Sequence, residues 1–216
     1  MNADGMPFGR GDDPGAGDVK LWADLGHEHD MMSTRLLGFW LYMLSDSLIF
    51  AGLFVAYVVL SYPTAFAGGP TPADVVSPLY GYAETVVLFT SVFAYGMVMV
   101  QLKHDHPRMA MRWLAVSFLI GLAFIGMEAQ ELNRIAAAGE LPQRSGFLSI
   151  FWIVIVAHAV HLAFGLLWMA VMVMQIGRSG FTQLVTYRLA NLKIYWLYQG
   201  LIWTFVYTFV YLRGSI

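Results

Sequence analysis

The sequence predicts an all-α membrane protein, a bundle of five transmembrane helices. Two observations carry this prediction. Of 216 residues, 58% are hydrophobic and only 12% are charged, whereas soluble domains carry roughly 45 to 50% apolar and about 25% charged residues. Apolar runs also recur along the chain, and a run of about 18 or more residues is long enough to cross a bilayer.

The predicted helices follow one another with short connections. The third apolar segment is too short to cross a hydrocarbon core roughly 30 Å thick at about 1.5 Å per residue, so its helix is expected to continue past Glu128 and Glu131 toward Ala138. The fourth is longer than a span needs and is expected to tilt or protrude. Proline and glycine separate the segments, and residues 71–74 are expected to open a brief helical turn. The five apolar segments are 36–60, 83–102, 113–127, 147–176 and 194–212.

The distribution of basic residues predicts the orientation of the chain. Nine lysines and arginines fall on one side of the five predicted spans, and only Arg134, Arg144 and Arg213 fall on the other. Because cytoplasmic loops carry the excess of basic residues, we expect a cytoplasmic N-terminus and a periplasmic C-terminus. Residues 1–34, rich in glycine and aspartate and without signal-peptide features, are expected to be a retained, largely disordered cytoplasmic tail before a transmembrane domain at 35–216.

Composition excludes several kinds of chemistry. The chain has no cysteine, so disulfides, thiolate catalysis and iron–sulfur ligation are excluded. A net charge of −2 offers no basic surface for nucleic acid. Gly-rich nucleotide loops, nucleophile elbows and zinc-ligand spacings are absent as well. Aromatic residues near the predicted span ends are expected to form an interfacial belt, namely Trp22, Tyr80, Trp113, Tyr187 and Tyr211.

Asp46 is the deepest predicted carboxylate, near the middle of the first span between Ser45 and Ser47. Placing an ionisable side chain inside a span costs about 2.5 to 3.5 kcal/mol of insertion free energy. Such a residue is therefore expected to have a polar partner or a function. Asp46 is therefore either a proton-exchanging or partner-binding group, or a hydrogen-bonded acid that fixes helix packing.

Three glutamates lie near the outer ends of the predicted second and third spans. Glu84 begins the second, and Glu128 and Glu131 end the third. Glu128, Glu131 and Arg134 are spaced to share one helix face, with Arg134 able to pair with Glu131. This spacing favours a structural ion-pair stripe over acid–base chemistry, which would need a defined substrate cleft.

His158 and His161 are the histidines predicted inside the membrane, three residues apart on the fourth span. Metal or haem ligation is one hypothesis, because neutral imidazole is a common ligand. Two neighbours on one helix face cannot ligate a haem iron from opposite sides, however, and Asp46 is the nearest further ligand at matching depth. The other hypothesis is an interhelical hydrogen bond in a dry interface.

Several motifs together resemble subunit III of the haem-copper respiratory oxidases, most closely the short five-span form in cytochrome bo-type ubiquinol oxidases. Residues 38–57, GFWLYMLSDSLIFAGLFVAY, are similar to the family's first-span signature, with Asp46 at its acidic position. The remaining matches are Glu84, Thr85, Tyr95, Gly96 and Met97 in the second span, GMExxE ending at Glu131 in the third, and Ser145, Gly146, Phe147, His158, His161, Gly165 and Trp168 in the fourth.

The fifth segment departs from the family's pattern. Where relatives carry a Trp-His-Phe run followed by Asp, this chain has Trp196, Leu197, Tyr198, Gln199 and Gly200. A hydrogen-bond network that depends on that His and Asp in relatives is therefore not expected here. We expect Gln199 to replace part of it.

The resemblance implies an accessory, non-catalytic subunit of a proton-pumping ubiquinol oxidase in the bacterial inner membrane. The haems and copper would belong to the partner subunit I, with subunits II and IV completing the complex, and this chain would carry no redox centre. Its implied roles are to stabilise subunit I, hold phospholipid and support proton delivery. Two other functions remain open on the residues alone, a small transporter using Asp46 in a proton relay and a haem-bearing anchor using His158 and His161.

Overall fold

The computed structural model describes residues 28–215, with side chains from 37 to 214, as a bundle of long helices. This part of the chain contains no strand. Single 3-10 turns at Pro63–Ala65 and Pro142–Arg144 interrupt two of the connections. In chain order the helices are α1 (Glu28–Leu60), the short α2 (Pro72–Val75), α3 (Pro78–Lys103), α4 (Pro107–Ala137), α5 (Gly146–Ser179) and α6 (Gln183–Val206), which continues through a π-helical turn (Tyr207–Leu212) into a 3-10 turn (Arg213–Ser215).

Four of the described helices are long and apolar enough to cross a membrane: Leu37–Leu60 within α1, and all of α3, α4 and α5. The chain is therefore an all-α, multi-pass membrane protein. α6 has 24 residues and carries Arg188 and Lys193, and it is not among the helices that meet these requirements. The sequence predicts five transmembrane helices. The described residues form five long helices, and four of these are long and apolar enough to cross a membrane.

The helix boundaries agree in part with the sequence-based expectations. α4 continues past Glu128 and Glu131 to Ala137, as its short apolar segment predicts. α2 forms where a brief helical turn is expected. α1 begins at Glu28, inside the segment expected to be a tail. Residues 1–27, including Trp22, lie outside the described residues, so the expected tail is untested there.

Proline, serine and threonine set the helix starts. Pro72, Pro78 and Pro107 occupy first turns, where a missing N–H costs no helical hydrogen bond. The Ser145 hydroxyl accepts a hydrogen bond from the Leu148 amide at 3.1 Å and so caps α5. Thr182 caps α6 in the same way, accepting from the Val185 amide at 3.3 Å.

α2 is capped through Asp74. Hydrogen bonds from the Thr71 hydroxyl at 2.6 Å and the Thr71 amide at 2.9 Å hold the pKa of the Asp74 carboxyl below its usual range. Because the folded-state pKa is depressed, the cap stabilises α2 at neutral pH. Its contribution is lost as the pH falls through that lowered pKa.

Trp196 is the central packing element of the bundle. Its indole is fully buried and fills a slot between two glycines of neighbouring helices. A Cβ on Gly165 of α5 would lie 2.8 Å from Trp196 Cζ3, and a Cβ on Gly121 of α4 would lie 3.0 Å from Trp196 Cζ2. The indole N–H donates to the Ser91 hydroxyl of α3 at 3.1 Å. One side chain of α6 therefore contacts three other helices.

Paired serines hold α3 against α4. The Ser91 hydroxyl donates to the Ser117 carbonyl oxygen at 2.8 Å, and the Ser117 hydroxyl donates to the Ser91 carbonyl oxygen at 2.9 Å. Both serines are fully buried. Small residues let helix backbones approach closely within a membrane, and reciprocal hydrogen bonds of this kind are satisfied without water.

α1 packs mainly against α5 and α6 through aromatic side chains. The Tyr57 and Phe147 ring centroids lie 6.0 Å apart, and those of Phe54 and Phe209 lie 5.6 Å apart. Many other large apolar side chains of α1 are exposed, among them Leu41 and Leu48. α1 is therefore attached along one face, and the opposite face is apolar.

The Trp196 slot predicts a difference between two glycines of α5. Gly165→Ala should lower the free energy of unfolding by about 1 to 3 kcal/mol, because its methyl group would overlap two buried rings, those of Trp196 and Tyr195. Gly177→Ala is the matched control, since a Cβ there meets nothing within 4 Å. Denaturant titration of the purified chain in detergent measures both. Equal stability of the two variants would contradict the slot.

Candidate functional site

Asp46 and His161 form a pair between α1 and α5. The Asp46 side chain is buried, and its Oδ1 lies 3.1 Å from His161 Nε2. His161 Nδ1 lies 2.6 Å from the Ala157 carbonyl oxygen one turn earlier. The imidazole also packs edge-on against the Phe50 ring at a centroid distance of 5.1 Å. The two residues that the sequence placed at matching depth are thus in contact.

The hydrogen bonds of His161 fix the number of protons in this pair. A carbonyl oxygen only accepts, so Nδ1 carries a hydrogen and donates it to Ala157. A hydrogen bond between Nε2 and Asp46 Oδ1 then requires one proton between them. That proton makes either an imidazolium with a carboxylate or a neutral imidazole with a carboxylic acid. The pair has no net charge in either case.

Tyrosines of α6 surround the Asp46–His161 pair. The Tyr195 hydroxyl donates to the His161 carbonyl oxygen at 2.8 Å, and the Tyr198 hydroxyl lies 3.1 Å from the Ser47 hydroxyl. Asp46 Oδ2 has no hydrogen-bond partner among the described residues. Two tyrosines of α6 therefore pack next to the Asp46–His161 contact between α1 and α5.

His158 contacts α6 rather than α1. It is fully buried, with Nε2 3.2 Å from the Gln199 carbonyl oxygen, so Nε2 carries the hydrogen. Its ring lies between Trp203 and Phe124, at centroid distances of 5.1 and 6.1 Å. His158 Nδ1 and both side-chain polar atoms of Gln199 have no hydrogen-bond partner within the described part of the chain. The two histidines thus join different helices to α5.

This geometry does not resemble a metal or haem site. Both ring nitrogens of His161 and Nε2 of His158 are engaged by protein atoms. Across residues 28–215, no three His, Asp or Glu side chains are placed to hold a metal ion. The arrangement favours interhelical hydrogen bonding over ligation.

The three predicted glutamates come together at one end of the bundle. Glu84 of α3 and Glu128 and Glu131 of α4 are all buried and close enough for their charges to interact. Arg134 Nη2 lies 3.7 Å from Glu131 Oε1, so the predicted Arg134–Glu131 pairing is present, with the arginine side chain 62% exposed. The carboxylate oxygens of Glu84 and Glu128 have no hydrogen-bond partner among the described residues.

Tyr211 completes this group of glutamates. Its hydroxyl donates to Glu131 Oε2. The π-helical turn after α6 carries Tyr211 into the bundle, where its ring takes the space next to Gly81; a Cβ on Gly81 would lie 2.6 Å from Tyr211 Cδ1. The expectation that Tyr211 lies in an interfacial belt is wrong, because this residue is fully buried. Its position depends on a π turn, which the apolar run does not reveal.

The profile of the cytochrome c oxidase subunit III family matches residues 18–215 of this chain. The chain belongs to this family. It is 39% identical to the cytochrome bo(3) ubiquinol oxidase subunit 3 of Pseudomonas aeruginosa over 89% of this chain and 91% of the relative. The protein of the same name from Pseudomonas putida is 40% identical over 87% of this chain and 90% of the relative. The cytochrome c oxidase subunit 3 of Bacillus sp. (strain PS3) is 28% identical over 84% of this chain and 87% of the relative.

The two departures from the family pattern in α6 have clear structural positions. Leu197 is 57% exposed on the surface of the bundle. Gly200 is buried, and a Cβ there would lie 3.3 Å from Val92 Cγ2 of α3. Glycine therefore allows α6 to approach α3 closely at this position. Gln199 lies between the two positions and is fully buried.

The Glu131–Tyr211 hydrogen bond can be tested with two tyrosines of the same π turn. Tyr211→Phe should lower the free energy of unfolding by about 1 to 3 kcal/mol, because it leaves a buried carboxylate oxygen without its donor. Tyr207→Phe is the control, since that hydroxyl makes no hydrogen bond to the described residues although its ring stacks on Tyr211. Denaturant titration in detergent compares the variants. Equal losses would show that the tyrosine hydroxyl does not hold Glu131.

Proposed function

We propose that this chain is the accessory, non-catalytic subunit III of a proton-pumping ubiquinol oxidase. The observation that carries the proposal is 39 to 40% identity, over about nine-tenths of each protein, to subunits named for ubiquinol oxidases. The relative named for a cytochrome c oxidase is less similar, at 28%. Quinol is therefore the electron donor that the comparisons favour for the complex.

In this proposal α6 is the fifth transmembrane helix. It packs on α5 and α3, buries Trp196 and Trp203 completely, and is extended by the π turn to Leu212. Its Arg188 and Lys193 lie in the first half of the helix, where long side chains can reach the headgroups. The excess of basic residues supports a cytoplasmic N-terminus and a periplasmic C-terminus in a bacterial inner membrane.

The redox chemistry belongs to the other subunits of the complex. We assign the haems and copper to subunit I, with subunits II and IV also present, because the described histidines of the bundle are engaged in hydrogen bonds between helices. This chain would stabilise subunit I, hold phospholipid against it and support proton delivery. Asp46, His158 and His161 fix the positions of α1, α5 and α6 in that role, and the three glutamates fix the outer end.

An absorption spectrum tests whether this chain carries a haem. The chain purified apart from its complex should show no haem Soret band, because both ring nitrogens of His161 and Nε2 of His158 are already hydrogen-bonded to protein atoms. A band at one haem per chain would overturn the proposal in favour of a haem-bearing anchor.

Membranes that lack the chain should still reduce dioxygen at first and then lose activity faster than the intact complex.

Substitution of Asp46 tests its structural role. In the assembled oxidase, Asp46→Asn should leave the haem spectrum unchanged and alter turnover and inactivation rate by no more than about threefold, because an amide can donate to His161 Nε2 as a carboxylic acid does. Asp46→Leu removes that donor and should inactivate faster. Asp105→Asn, on an exposed carboxylate in the connection between α3 and α4, is the control. Complete loss of dioxygen reduction in an assembled Asp46→Asn enzyme would show that Asp46 is essential for turnover.

A further inference from the structure

Four carboxyl oxygens at one end of the bundle lack hydrogen-bond donors. They belong to Glu84 of α3 and Glu128 of α4, which are 0% and 1% exposed, and none of the four has a partner among the described residues. The predicted ion pair does not extend to them, because Arg134 lies 3.7 Å from Glu131 and Tyr211 donates to that same carboxyl. Glu131 thus has a cation and a donor, whereas its two neighbours have neither.

The hydrogen-bond count indicates where protons are bound. Glu84 approaches from a different helix, and it lies close enough to Glu128 and Glu131 for their charges to interact. A buried carboxylate that accepts no hydrogen bond is strongly destabilised, and a neighbouring negative charge destabilises it further. A neutral carboxylic acid avoids both costs. The arrangement therefore calls for one proton on Glu84 and one on Glu128, with the negative charge on Glu131 beside Arg134.

The three glutamates are closed off on their inner side. Glu84 follows the start of α3 by six residues, about 9 Å of helical rise. One turn deeper, on the same faces of α3 and α4, lie Leu88 and Phe124, both fully buried. The Trp203 ring packs edge-on against Phe124 at a centroid distance of 4.8 Å. Apolar side chains therefore separate the carboxyls from the interior of the bundle.

The outer side of the same group is polar. One turn outward from Glu84 lies Tyr80, which is half-buried and donates its hydroxyl hydrogen to the Met127 carbonyl oxygen at 3.0 Å. The Arg134 side chain, on the outer turns of α4, is 62% exposed. The titratable groups that act on the three carboxyls are thus Tyr80 of α3, Arg134 of α4 and Tyr211 of the π turn. Water at this end of the bundle is therefore within about one helical turn of the carboxyls.

We propose that Glu84, Glu128 and Glu131 form a proton-binding site that exchanges protons with the side of the membrane that carries the π turn. Glu84 and Glu128 each hold one proton at neutral pH, and Glu131 carries the charge. Release breaks a carboxyl O–H bond and gives the proton to water, and uptake reverses this step, so no oxidant or reductant takes part. The inference goes beyond the proposed function, because the whole site lies within this chain.

Infrared spectroscopy of the purified chain in detergent tests the protonation states, because a carboxylic acid and a carboxylate absorb at different frequencies. At neutral pH, Glu84→Gln and Glu128→Gln should each remove the intensity of one carboxylic acid. Glu131→Gln should instead remove the intensity of one carboxylate. The control Glu140→Gln should do the same, since that carboxylate pairs with Arg144 at 2.7 Å. Loss of carboxylate intensity from Glu84→Gln and Glu128→Gln would overturn the proposal, because it would show three ionised glutamates.

Proteoliposomes with at most one chain per vesicle, sorted by an affinity tag at the C-terminus, test exchange with one side. Raising the external pH should convert the two carboxylic acid signals to carboxylate signals in vesicles that display the tag outside. Vesicles with the tag inside should respond only as their internal pH follows. Equal rates in the two populations would overturn the sidedness. Acid signals that persist at every alkaline pH at which the chain stays folded would overturn proton exchange.

Two further readouts keep the result interpretable. If Glu128→Gln does not fold, as judged by circular dichroism, Glu84→Gln decides the question, because its predicted loss is the same. The proposed function fails separately, since a haem Soret band in the purified chain would overturn that proposal and leave the infrared result unchanged.

Discussion

The insertion of Trp196 between two glycines is the contact on which the rest of the bundle depends. Gly165 and Gly121 leave the space that the indole occupies, and Ser91 receives its N–H. Inside a bilayer, helices gain little from hydrophobic association because lipid tails are as apolar as the side chains. Close packing and a few hydrogen bonds therefore have to supply the specificity. A ring that touches α3, α4 and α5 at once fixes their spacing, and α1 attaches to the framework that results.

The second constraint is the absence of water around polar groups in the hydrocarbon. Each polar contact that joins two helices here is made between side chains, or between a side chain and a backbone carbonyl. Ser91 pairs with Ser117, His158 with the Gln199 carbonyl, and Asp46 with His161. Two of the buried acids, Asp46 and Glu131, are paired in the same way at different depths. Asp46 has a histidine partner mid-span, whereas Glu131 is paired near the end of α4 with an arginine that reaches the surface.

Sequence reasoning predicted the features that depend on local composition. The helical class, the extension of the third helix past Glu131 and the matched depth of Asp46 and His161 all follow from apolar run lengths and helical rise. It failed where packing between distant segments decides the outcome. The sequence alone predicts that Tyr211 lies at the membrane interface. The π turn instead places its hydroxyl against Glu131. The central role of Trp196 depends on two glycines, 75 and 31 residues earlier, whose spacing to it carries no local signal.

The hydrogen bonds of the Asp46–His161 pair favour a structural role over a proton relay. Its hydrogen bonds require one shared proton, so moving that proton from oxygen to nitrogen leaves the net charge unchanged. A relay group must gain and lose protons to a path, which here would break the bond from His161 Nδ1 to the Ala157 carbonyl or leave Asp46 facing an unprotonated nitrogen. Either change would weaken the contact that attaches α1 to α5. The pair therefore stabilises the contact between α1 and α5 best when its proton stays in place.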